Sequence, residues 1–189
     1  MIGFGIAVAD WVKFRRFAQP GIARVAEPDS AVWVVEDGDS IQCAYNAILE
    51  RAARIDGLEA VVLLHEDTEI DDPQFMEKVR SGFGDPLTAV LGPIGGRGVT
   101  ALAWWDGLTF GRVKAPNATS QLILSAEVPF GWHEVDALDG LMMVLSPWAV
   151  REVRFDERFS PHFHGYDVDY CFEARAQGRR CMVAPLGCH

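Results

Sequence analysis

Four short apolar runs punctuate the first half of the chain, at Ile2–Val8, Ala31–Val35, Ala60–Leu64 and Leu87–Leu91. Each has the length of a strand and is apolar at consecutive positions, which marks a strand covered on both faces. The segments between them have helical spacing. Trp11–Val25 reads as a helix with a break expected at Pro20. Ser40 can cap a helix whose apolar positions Ile41, Ala44, Tyr45, Ile48, Leu49 and Ala52 repeat at helical intervals. Asp72-Pro73 reads as the cap and first turn of another. Doubly buried strands alternating with helices call for an α/β fold with a mostly parallel central sheet.

From Gly92 to Pro129 the pattern changes. Gly-Pro-Ile-Gly-Gly-Arg-Gly at 92–98 and the pair Trp104-Trp105 carry few helical signals, so loops and short antiparallel strands are expected there. Order returns with a strand over Leu141–Leu145 and a short helix opened by Ser146-Pro147. A further helix runs through Val168, Cys171, Phe172 and Ala176 and ends at Gly178. Arg180–Ala184 is the last strand. No linker, repeat or low-complexity stretch interrupts the 189 residues, which are expected to form a single domain.

Charge narrows the function. With 17 Lys and Arg against 27 Asp and Glu, the formal charge is −10. Nucleic-acid binding depends on basic side chains neutralising phosphates, so no nucleic-acid partner is expected; a polybasic membrane patch is excluded on the same ground. No apolar run approaches the roughly 20 residues of a membrane span. Met1–Ala9 lacks a basic flank and runs straight into Asp10, unlike a signal peptide. Cys43, Cys171, Cys181 and Cys188 form no CxxC pair and are expected to be reduced. A cytoplasmic location follows as the expectation. Any phosphate-bearing ligand of so acidic a chain needs a cation to meet it.

The acid is clustered. His65-Glu66-Asp67 follows the strand at 60–64, and five of the seven residues Glu66–Asp72 are acidic. Carboxylates beyond the carboxyl end of a sheet strand can hold a hard divalent cation, although a solvated loop rim has the same composition. Glu36-Asp37-Gly38-Asp39-Ser40 follows the preceding strand and serves equally as turn and cap. Pro161–Asp169 contains His162, His164, Asp167 and Asp169, with Asp167 near a helix start, where backbone N–H groups favour a carboxylate. His189 stands alone at the end.

Taken in order, VEDGDS, HED, GPIGG, DGLMMVLSP, RFDERF, HGYDVDYCFEARAQG and a late His resemble the inverting family 2 glycosyltransferases of the GT-A fold, over almost the whole chain. The stretch from Asp139-Gly140 to Arg175 and Gly178 is the most specific part. The resemblance implies a Rossmann-like nucleotide-diphospho-sugar transferase sandwich and an inverting, hexosyltransferase-like activity. It implies Glu36 or Asp37 at the nucleotide base or ribose, Glu66 beside the donor, and Gly140 where acceptor and sugar meet. Asp67 would coordinate Mn²⁺ or Mg²⁺, with His65 adjacent and His189 as a further ligand, and Asp167 would be the catalytic base. The donor would be a UDP-, GDP- or dTDP-sugar, and the acceptor a glycan, a lipid-linked molecule or a small molecule. Trp104-Trp105 offers an aromatic platform for a sugar ring. Two departures stand out: His65 replaces the first acid of the metal motif, and Tyr166 replaces a Glu before the base. The chain stops at His189, where members of that family continue, so a truncated catalytic domain is one expectation.

Two other functions fit the same residues. A hydrolase with a two-metal site would use His162, His164, Asp167, Asp169 and His65, and would need both His side chains beside Asp67. A nucleotide-sugar or glycan binding module would keep the site without turnover.

Overall fold

A computed structural model describes residues 1–36, 40–113, 124–125, 131–159 and 164–189. A seven-stranded sheet runs β2 (Val32–Glu36), β1 (Ile2–Val8), β3 (Ala60–Leu64), β10 (Met142–Leu145), β4 (Thr88–Gly92), β11 (Arg180–Val183) and β8 (His133–Val135). β1 pairs parallel with both β2 and β3, and β4 pairs parallel with β11. β10 lies antiparallel between β3 and β4, and β8 is antiparallel to β11. Five strands therefore share one direction; β2, expected to be buried on both faces, is instead an edge strand that is half-buried at best, with a neighbour on one side alone. A smaller antiparallel sheet takes β7 (Leu124–Ser125), β6 (Leu108–Val113) and β5 (Ile94–Arg97) from the Gly-rich middle and adds β9 (Ala137–Leu138) from beyond it.

The period of two along β3 divides the core. Val62 and Leu64 pack with Phe14 of α1 (Trp11–Arg16), Ala18 and Ile22 of α2 (Ala18–Val25), and Phe75 and Val79 of α4 (Phe75–Gly82). Val61 and Leu63 face the other way. They meet Tyr45, Ile48 and Leu49 of α3 (Ile41–Ala52), Val150 of α5 (Pro147–Glu152) and Val168 and Tyr170 of α6 (Tyr166–Ala176). All five residues of β3 are buried, so its end is a rigid platform for whatever follows.

Helix starts obey local chemistry where a side chain can cap. Ser40 Oγ accepts from Cys43 N and Ser146 Oγ from Ala149 N, as expected. Two expectations change. The helical segment at 11–25 breaks at Phe17 rather than Pro20. Pro20 falls in the first turn of α2, where a missing N–H breaks no intrahelical bond. Asp72 is not the cap of α4, which begins at Phe75. Its carboxylate is committed elsewhere, accepting from Lys78 Nζ at 2.7 Å, Gln74 N at 3.0 Å and Gly187 N at 3.1 Å. The cysteines are free thiols, with Cys43 half-buried and the other three buried.

Candidate active site

The carboxyl ends of β1, β2 and β3 lie side by side, with Val8 in register with Glu36. This is the edge where open α/β sheets bind ligands. Glu66 Oε2 accepts from the backbone N–H of Ala9 and of Asp10, both at 2.7 Å, tying the loop after β3 to the loop after β1. Asp10 in turn caps α1 through Val12 N. Glu66 is therefore a brace for the rim. Asp67 is half-exposed, with Lys13 Nζ 3.5 Å away. Ala9, Lys13, Glu66 and Asp67, with Ala7, Val8, Ile41 and His65, line a cavity of about 440 Å³. Glu36 accepts from Trp11 Nε1 at 2.9 Å beside this cavity's rim strand, without lining it. Asp37 and Asp39 lie outside the described residues.

A second cavity of about 230 Å³ opens across His65. Asp167 and Tyr166 from the start of α6, Asp139-Gly140, Leu102, His164 and the Trp pair line it. Gly165 takes the left-handed φ of 89° that turns the chain into α6. Asp167 sits in the first helical turn, with Oδ1 accepting from Val168 N at 2.9 Å and Oδ2 from Gly140 N at 2.8 Å. Burial and then the Asp139 charge push its carboxyl up to about 6, against the pull of those two N–H donors. A carboxylate poised close to neutrality and open to a cavity suits proton abstraction.

Gly140 is required by packing as well as position. A methyl group there would overlap the Tyr166 hydroxyl. That hydroxyl lies 2.6 Å from His65 Nε2 and donates to Gly140 O at 3.3 Å. Burial holds the His65 imidazole below its ordinary pKa, the nearby Asp139, Asp67 and Glu66 charges opposing it.

Two of the expected metal ligands have other partners. His65 Nε2 is engaged by Tyr166, and His189 places its ring nitrogens 3.3 Å from Glu69 and 3.5 Å from Asp71. Among the described residues no group of three or more His, Cys, Asp or Glu side chains is arranged to hold a metal. Of the two carboxylates lining the larger cavity, Glu66 accepts from the Ala9 and Asp10 N–H groups, which leaves Asp67 to meet a cation. One carboxylate completed by phosphate oxygens and water suits Mg²⁺ or Mn²⁺, so the residues fit an ion shared with a diphosphate and not one caged by protein. Nor do Glu69, Asp71 and Asp72 join the rim. Glu69 and Asp71 make backbone bonds to residues 187–189, and Asp72 binds Gly187. Of the residues a two-metal hydrolase would use, His164, Asp167 and His65 line the smaller cavity and His65 also the larger, beside Asp67, while His162 lies outside the described residues.

Sequence reasoning named Asp139 only within the family pattern, without the role its charge plays on Asp167, and passed over Lys13, the cation on the larger cavity. Lys13 lies just past the end of β1, a position that could have flagged it. The Trp pair divides: Trp104 is 4 % exposed and belongs to the core, whereas Trp105 is 59 % exposed.

The chain was compared with known proteins. A glycosyltransferase-like family matches residues 22–186. The streptomycin biosynthesis protein StrF of Streptomyces griseus is 32% identical over 187 residues, covering 98% of this chain; the chain spans 64% of that protein's length. GalNAc-T7, solved with UDP, GalNAc and Mn²⁺, superposes with a TM-score of 0.67 at 10% identity, over 100% of this chain and 43% of that one. The mannosyltransferase PcManGT from Pyrobaculum calidifontis, solved with GDP-Man and Mn²⁺, gives 0.63 at 14% identity, over 99% and 55%. The fold is the GT-A fold of these transferases. Among the described residues no helix is long and apolar enough to cross a membrane. With a match running from residue 22 to residue 186, the chain belongs to the glycosyltransferase-like family.

Proposed function

We propose that residues 1–189 act as one catalytic domain that transfers a sugar, hexose-like in size, from a nucleotide-diphosphate sugar to an acceptor hydroxyl with inversion. The observation that carries this reading is Asp167, a buried carboxylate held by two backbone N–H groups and raised to about 6, facing a cavity that adjoins a larger one at the sheet edge. The larger cavity takes the donor. Lys13 and the rim braced by Glu66 face its diphosphate, and Glu36 stands where the nucleoside emerges. The UDP and GDP-Man bound to the two structural relatives support this choice of donor class.

The acceptor occupies the smaller cavity against Trp105. A hydroxyl is a weak nucleophile at neutral pH. Asp167 accepts its proton as the bond to the anomeric carbon forms, which lowers the barrier. The base and the departing diphosphate lie on opposite sides of the sugar, so the displacement is in line and inverts the anomeric centre. Asp67 would hold Mn²⁺ or Mg²⁺, which would supply charge stabilisation for the leaving diphosphate. The acceptor is a glycan, a lipid-linked sugar or a small polyhydroxylated molecule.

A thermal-shift screen of UDP-, GDP- and dTDP-sugars with and without MnCl2 tests the reading. Stabilisation by one nucleotide family, stronger with the metal, is the expected result. Absence of stabilisation by all three, with and without metal, overturns it.

A further inference from the structure

His65 is the side chain shared by the linings of the two cavities described above. It also joins the elements that build them. Its backbone N–H donates to Leu141 O at 3.0 Å, and its Nε2 lies 2.6 Å from the Tyr166 hydroxyl. The phenol continues the chain to Gly140 O at 3.3 Å, and the Gly140 N–H reaches Asp167 Oδ2 at 2.8 Å. With the proton on Nε2, His65 donates to the phenol oxygen and the phenol donates to the carbonyl, so each proton has one acceptor.

The phenol ring is not free to swing. It packs against Tyr45 and Phe155 with ring centroids 5.9 and 5.8 Å apart, and Gly140 leaves it room only because it lacks a side chain. A circuit therefore runs from the end of β3, through His65, Tyr166 and Gly140, to the carboxylate of Asp167. Tyr166 and Asp167 are consecutive in the first turn of α6, so anything that fixes the phenol also fixes the carboxylate's origin.

We infer that His65 and Tyr166 are positioning residues: their hydrogen bond registers α6 against the end of β3 and holds Asp167 at a set distance from the donor cavity. The inference rests on the donor and acceptor occupying these two cavities. A carboxylate in the first turn of α6 would shift with the helix relative to the sugar without such a tie, and displacements of about 1 Å can cost on the order of a hundredfold in rate. The pair does this with neutral groups, so it adds no charge beside Asp167.

Tyr166→Phe removes the hydroxyl and keeps the ring. The first readout needs no substrate: exchange of the Gly140 amide, followed by NMR in the free protein, reports whether its bond to Asp167 is held. Exchange about tenfold faster in Tyr166→Phe and in His65→Ala is expected, with β1 amides unchanged and partial recovery in His65→Gln, which keeps an N–H donor in reach. The second readout is steady-state transfer with UDP-glucose, GDP-mannose and dTDP-glucose in MnCl2. For whichever donor the wild type uses, Tyr166→Phe lowers kcat about tenfold and leaves the donor KM unchanged. The double variant His65→Ala/Tyr166→Phe loses no more than the worse single one. Wild-type Gly140 exchange and kcat in Tyr166→Phe, or losses that multiply in the double variant, overturn the inference while leaving the transferase reading intact. A wild type that uses none of the three donors overturns that reading and the inference with it.

Discussion

The backbone N–H of Gly140 donates to Asp167 Oδ2 at 2.8 Å, joining the turn before β10 to the first turn of α6. Removing the carboxylate at that point separates binding from chemistry. In Asp167→Asn the amide cannot accept a proton, and general-base assistance contributes about 10²–10⁴-fold. Turnover is expected to fall by that amount while nucleotide binding, which the proposal assigns to the other cavity, keeps its wild-type Kd by calorimetry. Retained turnover excludes Asp167 as the base.

The pH profile follows from the same carboxylate. Burial raises its pKa first, and the Asp139 charge adds to it, to about 6. With Asp167 as the proposed base the ionised form is the active one, so kcat/KM is expected to rise with pH up to about 6 and level off above it. Asp139→Asn removes a like charge, makes ionisation easier and shifts this limb to lower pH. His65, His164 and Tyr166 also face the cavity, and each stays in place in that variant. An acid limb unmoved by Asp139→Asn argues that another group titrates.

Gly140→Ala tests packing beneath the site. The added methyl would overlap the Tyr166 hydroxyl, whose ring is pinned by Tyr45 and Phe155. Overpacking of this kind costs about 1–3 kcal/mol. Thermal denaturation is expected to show the loss, with transfer activity falling further than stability alone explains. A variant as stable as wild type means the turn at 139–141 can yield.

These sites were unevenly legible in the sequence. β1 and β3 were readable because strands buried on both faces leave consecutive apolar residues, and α3 because Ser40 and its apolar spacing act within one turn. Asp167 was readable because a Gly followed closely by Asp at a helix start is local chemistry. The insertion of β10 antiparallel between β3 and β4 was not, since strand order depends on contacts between residues some 80 apart, Val62 with Val144 among them. His189 illustrates the same limit. Nothing near it reveals that Glu69 and Asp71, far away in sequence, hold it in an isolated bridge region beside Ile70 and Cys188. The His65–Tyr166 contact spans 101 positions, and the two residues looked like separate departures from the family pattern until the fold brought them together.

Asp72 anchors the final segment. Burial opposes its ionisation, but Lys78 and the N–H groups of Gly187 and Gln74 bring its pKa below the ordinary 3.8. A depressed folded value means the stabilisation is present above pH 3.8 and lost as pH falls through the folded pKa. Asp72→Asn is expected to cost about 2 kcal/mol at pH 7. The difference in Tm from wild type narrows in strong acid, where both carry an uncharged group. A gap independent of pH assigns the role of Asp72 to shape and not to charge.

The two adjacent indoles make opposite predictions. Trp104 is buried in the core with Ile94, Val99 and Phe110, and its edge meets Trp105 at a centroid distance of 5.7 Å. Trp104→Ala removes a large core side chain, costs about 3–5 kcal/mol and lowers Tm markedly. Trp105 exposes most of its surface on the wall of the smaller cavity, so Trp105→Ala is expected to leave Tm nearly unchanged. If its ring stacks on the acceptor, loss of about 1.4 kcal/mol raises the acceptor KM about tenfold, with donor Kd unaffected. The comparison controls itself: the residues are neighbours in sequence, and one exchanges stability where the other exchanges affinity. An acceptor KM unchanged in Trp105→Ala removes the aromatic platform from the mechanism and leaves recognition to Asp139, His164 and the backbone of Gly140.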